Sequence, residues 1–495
     1  MLSLGLLGCA DEASPDDDGG SEAPTTGAET GSATTGSTGD MDPTTEGGAS
    51  TESGLDESGS GTTSEGPNSA LDGVWQTDGY GWVYSVEGDV VHVFEVTGET
   101  CMQVVVGTIV DTSGEQTRVD LEVPGLFTLG MSVWPDGDTM RFLADGLIVA
   151  PPATNVGALP PVCEGAPDPR PLAVFDTLTS WFDEHYALFD DRDVDWPAAV
   201  AQHRERIENA EADLFTVVTD LLAPLEDAHV SLQGPDGAFE GRRIEDEPVT
   251  EGMVEQAQAL ISSDYLVTER EAFVLGQIEF ARLPDDVGYL AAHGFGPLVG
   301  EDGRLDYLGA VEEFEDALDS LFDGDPMSGL VVDLRTNGGG SDLFGLALAR
   351  RLASSSHVAY EVRARIDPED ASVFGPTETI MVEPSRRPGF DGPVAVLLGR
   401  DTVSAGETAA LALRGQPDVT LIGEPSQGAF SSVLNHFLPN GWLLGLPNEH
   451  YLTESGERFD VVGIPPDIEV DVFSAEDLGM GRDSALDAAL DLFSD

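Results

Sequence analysis

PVAVLLGRDTVSAGETAALALRG, from Pro393 to Gly415, decides how the rest of the chain is read. Its first seven residues are an apolar run of strand length, and from Ala405 the pattern turns helical and rich in Ala and Leu. Ser404 therefore falls in a tight turn between a buried strand and a helix. The first amides of a helix, Ala405 N–H above all, have no partner within it and point outward with the positive end of the helix dipole behind them. A serine there is placed as a nucleophile whose product is an oxyanion, and it is equally the ordinary N-cap of a helix.

A second unit of the same shape lies upstream: GLVVDLR (Gly329 to Arg335), then TNGGG (Thr336 to Gly340), then the helical SDLFGLALARRLAS (Ser341 to Ser354). Three consecutive glycines between strand and helix permit unusual backbone angles and close approach of amides to a ligand. A phosphate loop would need GK[ST] after them, and none follows.

These two stretches, with IGEPSQGAF (Ile422 to Phe430) and FDVVGIPPDIEV (Phe459 to Val470), in this order and spacing, resemble the C-terminal processing (tail-specific) serine peptidases. The similarity runs from about Pro171 to Val470. It implies an α/β fold with a crotonase-like core, a spiral of ββα units, and peptide-bond hydrolysis by acyl transfer. A different class of protein stays open beside it, a non-catalytic crotonase-like binder of apolar ligands or peptides.

In the bacterial processing enzymes a lysine after a T-x-G turn is the general base. Here the turn reads Ser426, Gln427, Gly428, the next residue is Ala429, and the chain has no lysine at all. Arginine stays protonated and cannot replace it. The resemblance is therefore to the tricorn-core-like branch, in which a histidine from an N-terminal helical region acts on the serine. His229, in EDAHVSLQG, stands at that place with a D-x-H context; His293, in YLAAHGFG, is the reserve base. The family's acidic residue, commonly glutamate three positions before a G-[IV]-x-P-D signature, falls on Asp460, with Glu457 and Glu454 as nearby substitutes. The expected site is Ser404 as nucleophile, His229 as base, Asp460 orienting the imidazole, and the Ala405 and Gly339 amides holding the oxyanion. Glu407 caps or orients the helix start, Arg335 braces the Gly turn, and Asp467 fixes a turn. No HExxH, C-x-x-C or EF-hand loop appears, so neither metal nor cofactor is expected.

The chain begins MLSLGLLGCADE, where Leu6, Leu7, Gly8 and Cys9 match a lipobox, making Cys9 the lipidation site. Residues 10–69 are Gly, Ser, Thr, Asp, Glu and Pro with almost nothing apolar, a composition that cannot bury a core and reads as a disordered acidic linker. Together they predict an extracytoplasmic protein of the bacterial cell envelope, lipid-anchored and acting on protein or peptide substrates. The formal net charge of −70 argues against nucleic-acid partners.

Past the linker about 425 residues remain, enough for two or three domains. Residues 70–167 alternate aromatic and β-branched residues between Gly and Asp turns and predict a small barrel or sandwich. Cys101 and Cys163 are expected to form a disulfide there, and Trp75, Tyr80, Trp82 and Tyr84 to pack its core. Residues 168–235 turn helical, with Phe175, Leu178, Phe182, Tyr186 and Phe189 on one face and Asp195 as a cap. A connecting segment (236–284, too short for a PDZ module), the ββα core (285–475) and a C-terminal helix (476–495) complete the expected organisation.

Overall fold

The structure, a computed structural model, describes residues 71–494 apart from 124 and 243–248. Cys9 and the acidic linker expected over 10–69 lie outside the described residues.

Eight antiparallel strands, Gly73–Thr77, Trp82–Glu87, Val90–Val96, Cys101–Asp111, Thr117–Val123, Phe127–Asp136, Thr139–Ala144 and Pro152–Asn155, follow one another around a closed ring. The ring closes because Phe127–Asp136 pairs with both Thr117–Val123 and Thr139–Ala144. Closure leaves these strands no unpaired edge of their own. Alternation decides what fills the barrel: Val91 and Val93, Met131 and Val133, Met140 and Phe142 are buried, with more exposed residues between the first and last pairs. Trp75, Tyr80, Trp82 and Tyr84 are all buried, and Tyr84 stacks on Phe142 at 3.9 Å. Cys101 and Cys163 are bonded, which ties the turn Pro161–Glu164 to the barrel.

The helices Pro171–His185, Trp196–Glu208 and Leu214–Leu222 come next. Phe175, Leu178, Phe182 and Tyr186 are fully buried, as their spacing predicts, and they share one core with the barrel. Asp195 accepts from Ala198 N–H at 3.2 Å, and Asp213 from Thr216 N–H at 2.9 Å, so both later helices begin on a carboxylate cap.

Beside smaller sheets of four and three strands, the largest sheet of the remainder has seven strands, in the order Glu271–Phe273, Ile278–Arg282, Gly288–Ala292, Leu330–Asp333, Val394–Leu398, Val419–Gly423, Ile468–Glu469. From Gly288 onward every pairing in it is parallel. Parallel strands need helical crossovers and are covered on both faces, so their sequences read as unbroken apolar runs. Leu330, Val332, Val394 and Val396 face the helices Tyr307–Phe322, Asp342–Leu352 and Ala405–Arg414, whereas Val331, Ala395 and Leu397 pack with Ala257, Leu486 and Ala489 on the opposite side. The two antiparallel strands at its edge come from the segment expected to be a connector, so the sheet begins at Glu271. The barrel sheet is likewise extended by Leu298–Val299 and Arg304–Asp306, the latter parallel to Phe127–Asp136.

Candidate active site

Strand Val394–Leu398 is followed by Gly399, and helix Ala405–Arg414 starts seven residues after the strand's end with Ser404 as its N-cap. The intervening turn is fixed from three sides. Thr402 Oγ1 donates to Leu334 C=O at 2.8 Å, Val403 N–H to Asn337 C=O at 2.9 Å, and Ser404 N–H to Ala429 C=O at 3.0 Å. The result is a serine at φ +57°, ψ −121°, a conformation that side chains with a Cβ rarely adopt. Such strain survives only where neighbours over-determine it, and it turns the hydroxyl outward.

Glu407 anchors the turn, one helical turn beyond Ser404. Its Oε1 accepts from Ser426 Oγ (2.6 Å) and Gly428 N–H (2.7 Å), its Oε2 from Ala429 N–H (2.9 Å) and Ser404 N–H (3.2 Å). Burial pushes this carboxyl up to about 7, against the pull of those hydrogen bonds. Ala429, which follows the Ser426–Gly428 turn, accepts the Ser404 N–H through its backbone carbonyl.

The Gly turn lies directly against the serine. A Cβ at Gly339 would come within 2.7 Å of Ser404 Cβ, and Gly339 sits at φ +98°. Its N–H donates to Asn337 Oδ1 at 2.9 Å, so in this state the amide expected to hold an oxyanion is occupied. The N–H groups of Ala405 and Gly340 make no hydrogen bond among the described residues. Gly340 and Ser404 line one small cavity of about 40 Å³, whose far wall is Asp145, Gly146, Leu147 and Ile148 from the end of the barrel. Arg335 is buried between Asp333 and Asp483, 2.7 and 2.8 Å away, and so joins the strand below the Gly turn to the C-terminal helix.

On the other side of Ser404 a larger cavity of about 440 Å³ is lined by both Ser404 and His229. His229 follows the third helix of the helical subdomain. Its N–H donates to Asp227 Oδ1 (2.9 Å), whose Oδ2 accepts from Tyr186 Oη (2.9 Å) beside Arg192 (3.3 Å). Burial lowers the imidazole below its ordinary range, with Asp227 opposing and Arg192 assisting. A neutral ring is the form that accepts a proton. Ser404 Oγ and the His229 ring make no direct hydrogen bond, and His229 Nδ1 is buried without a partner among the described residues.

Asp460 is buried as well, and neither of its carboxylate oxygens has a partner among the described residues. Desolvation pushes this carboxyl up to about 8, against the pull of Arg458, and Asp227 and Glu407 add to the rise. His293 is set apart from the larger cavity, behind the Gly turn. Sequence reasoning did not foresee Asp227 as the brace of the His229 segment, although the D-x-H spacing carries it: an Asp accepting from the N–H two residues on makes an Asx turn. Nor did it foresee Asn337 bonding Gly339, a contact that exists only once strand and turn are folded together.

The fold thus sets a strained serine at a helix N-terminus and a histidine across a shared cavity. Residues 286–470 match peptidase family S41. It is similar to a carboxyl-terminal-processing protease of Synechocystis, with 27% identity over 225 residues, covering 45% of this chain and 47% of the relative. It is also similar to carboxyl-terminal-processing peptidase 2 of Arabidopsis thaliana chloroplasts, with 29% identity over 29% of this chain and 26% of the relative. The chain thus spans about half or less of the length of these curated relatives. Among solved structures it resembles one described as a putative peptidase from Parabacteroides merdae, with 26% identity and a TM-score of 0.54, over 66% of this chain and 97% of that one.

Proposed function

We propose that this protein is an extracytoplasmic serine endopeptidase that cleaves peptide bonds through an acyl-enzyme, and that its core is of the crotonase type. One observation carries the proposal: Ser404 is held at a strained positive φ at a helix N-terminus, with the Ala405 amide free beside it and His229 in the wall of the same cavity. Ser404 Oγ attacks the carbonyl carbon while His229 takes its proton. Ala405 N–H holds the oxyanion together with an amide of the Gly turn, Gly339 once released from Asn337 or the neighbouring Gly340. The proton on His229 then goes to the leaving amine, and water reverses the sequence to release the acyl group.

Asp460 is the proposed third member. Its oxygens and His229 Nδ1 are all buried and unpartnered, each at a cost of roughly 1–3 kcal/mol, and pairing them relieves both sides. The field of Asp227, two residues from His229, reaches Asp460, which sets the two segments within electrostatic range. For the location, the bond between Cys101 and Cys163 supports an oxidising compartment, and Cys9 is the proposed lipid anchor. Among the described residues no helix is long and apolar enough to cross a membrane.

A fluorophosphonate probe tests the reading. Wild-type protein is expected to be labelled at Ser404 and to hydrolyse unfolded protein, and Ser404→Ala to lose both while keeping its thermal transition. Wild-type turnover in the alanine variant would remove Ser404 as nucleophile.

A further inference from the structure

The proposed mechanism leaves unused a histidine packed behind the Gly turn. His293 follows strand Gly288–Ala292, and its backbone ties the edge of the sheet to the Gly turn: its N–H donates to Gln277 C=O at 2.8 Å and its C=O accepts from Gly338 N–H at 3.2 Å. Its half-buried ring bridges the same two segments. Nδ1 lies 2.8 Å from Thr336 Oγ1 and Nε2 lies 3.4 Å from Glu279 Oε2. Glu279 is also paired with Arg270, which reaches Gln258 Oε1 at 2.7 Å. His293 and then Arg270 hold Glu279 down at about 2 against its partial burial, so it is a carboxylate and can only accept. In the neutral tautomer whose Nε2–H faces Glu279, Nδ1 accepts the hydroxyl proton of Thr336.

The two ends of the Gly turn are held differently. The downstream end is laddered to Phe295, which donates its N–H to Gly339 C=O (2.8 Å) and accepts from Ser341 N–H (2.9 Å). At the upstream end the Thr336 side chain has the His293 ring as its partner, and Thr336 lines the cavity that Ser404 and His229 share. A misplacement of about 1 Å at the reacting groups costs on the order of a hundredfold in rate. We propose that His293 is a positioning residue: oriented by Glu279, its ring fixes Thr336 and so sets where the Thr336–Gly340 turn presents its amide to the oxyanion formed at Ser404. This rests on the reading of Ser404 as nucleophile.

The test compares His293→Ala, His293→Asn, Thr336→Val and the Ala/Val double variant. The measurements are peptide hydrolysis, the rate of fluorophosphonate labelling, whose adduct places an oxygen in the oxyanion position, and thermal melting. Expected are losses of about tenfold in kcat and in labelling for His293→Ala and Thr336→Val, with KM within about twofold and no further loss in the double variant. His293→Asn, whose amide oxygen can accept the Thr336 hydroxyl as Nδ1 does, is expected to recover most of the activity. Wild-type kcat in His293→Ala or Thr336→Val, additive losses in the double variant, or an Asn variant as slow as the Ala variant would each overturn the assignment while labelling of the wild type upholds Ser404. No labelling of the wild type at Ser404 would overturn both.

Discussion

At the scale of single residues, the site is a set of buried groups whose charge states are set by what surrounds them. Burial keeps His229 neutral to lower pH than a free imidazole, so kcat/KM is expected to fall on the acid side with a midpoint below 6.5 as the ring protonates. A midpoint above 6.5 would mean that another group limits the rate. Asp460 titrates the other way. Its folded pKa, about 8, lies above the unfolded value, so the native state binds the extra proton and stability falls as pH rises from about 4 toward 8. Asp460→Asn keeps the shape and removes the ionisable group. It should therefore melt at least about 2 °C above wild type at pH 8.5 and show little difference at pH 4, read by calorimetry at the two pH values. If Asp460 also orients His229, the same substitution lowers kcat by at least about a hundredfold with KM little changed. A more stable and fully active variant would leave Asp460 as a buried acid without a catalytic part.

Turns, at the scale of elements, matter more here than helices or strands. Two strand-turn-helix units lie side by side, and their turns interlock: Val403 N–H bonds Asn337, Asn337 bonds Gly339, and Gly339 leaves room for Ser404. Gly339→Ala therefore meets two obstacles, a φ of +98° and a contact 2.7 Å from Ser404 Cβ that is backbone-anchored and cannot swing away. The strain of placing Ala at positive φ is roughly 1–2 kcal/mol, and the displaced serine should cost on the order of a hundredfold in kcat. Gly125→Ala, also at positive φ but facing open space, is the control that carries the strain without the contact. Equal kinetic losses in the two variants would show that the contact is unimportant.

At the scale of the whole molecule, the barrel is a structural partner of the seven-stranded sheet. It shares its core with the three helices that deliver His229, its sheet is extended by Leu298–Val299 and Arg304–Asp306, and its last turn closes the small cavity at Ser404, with Ser341 Oγ donating to Gly146 C=O at 2.6 Å. The disulfide spans 62 residues of sequence, and closing a loop of that size restricts the unfolded chain by about 4 kcal/mol in the loop-entropy account. Cys101→Ser with Cys163→Ser is expected to lower the melting temperature by several degrees and to remove its sensitivity to reducing agent. Identical melting of wild type with and without reductant would exclude a stabilising bond.

Much of this was legible in the chain itself. Period-2 alternation specified the barrel strands, period-3.6 spacing the Phe175–Tyr186 face, and unbroken apolar runs the parallel strands, because burial on one face or on both writes a different pattern into sequence. Motif order singled out Ser404, and the missing lysine directed attention to His229. Local patterns could not show that strands from the expected connector and core join the sheets at Glu271 and Leu298, that Gly339's amide is held by Asn337, or that Asp460 and His229 Nδ1 are left buried and unpaired. Those depend on which residues, far apart in sequence, share a desolvated space. A carboxylate in water and one sealed in the interior are the same letter, and only tertiary packing sets the dielectric and the partners that distinguish them.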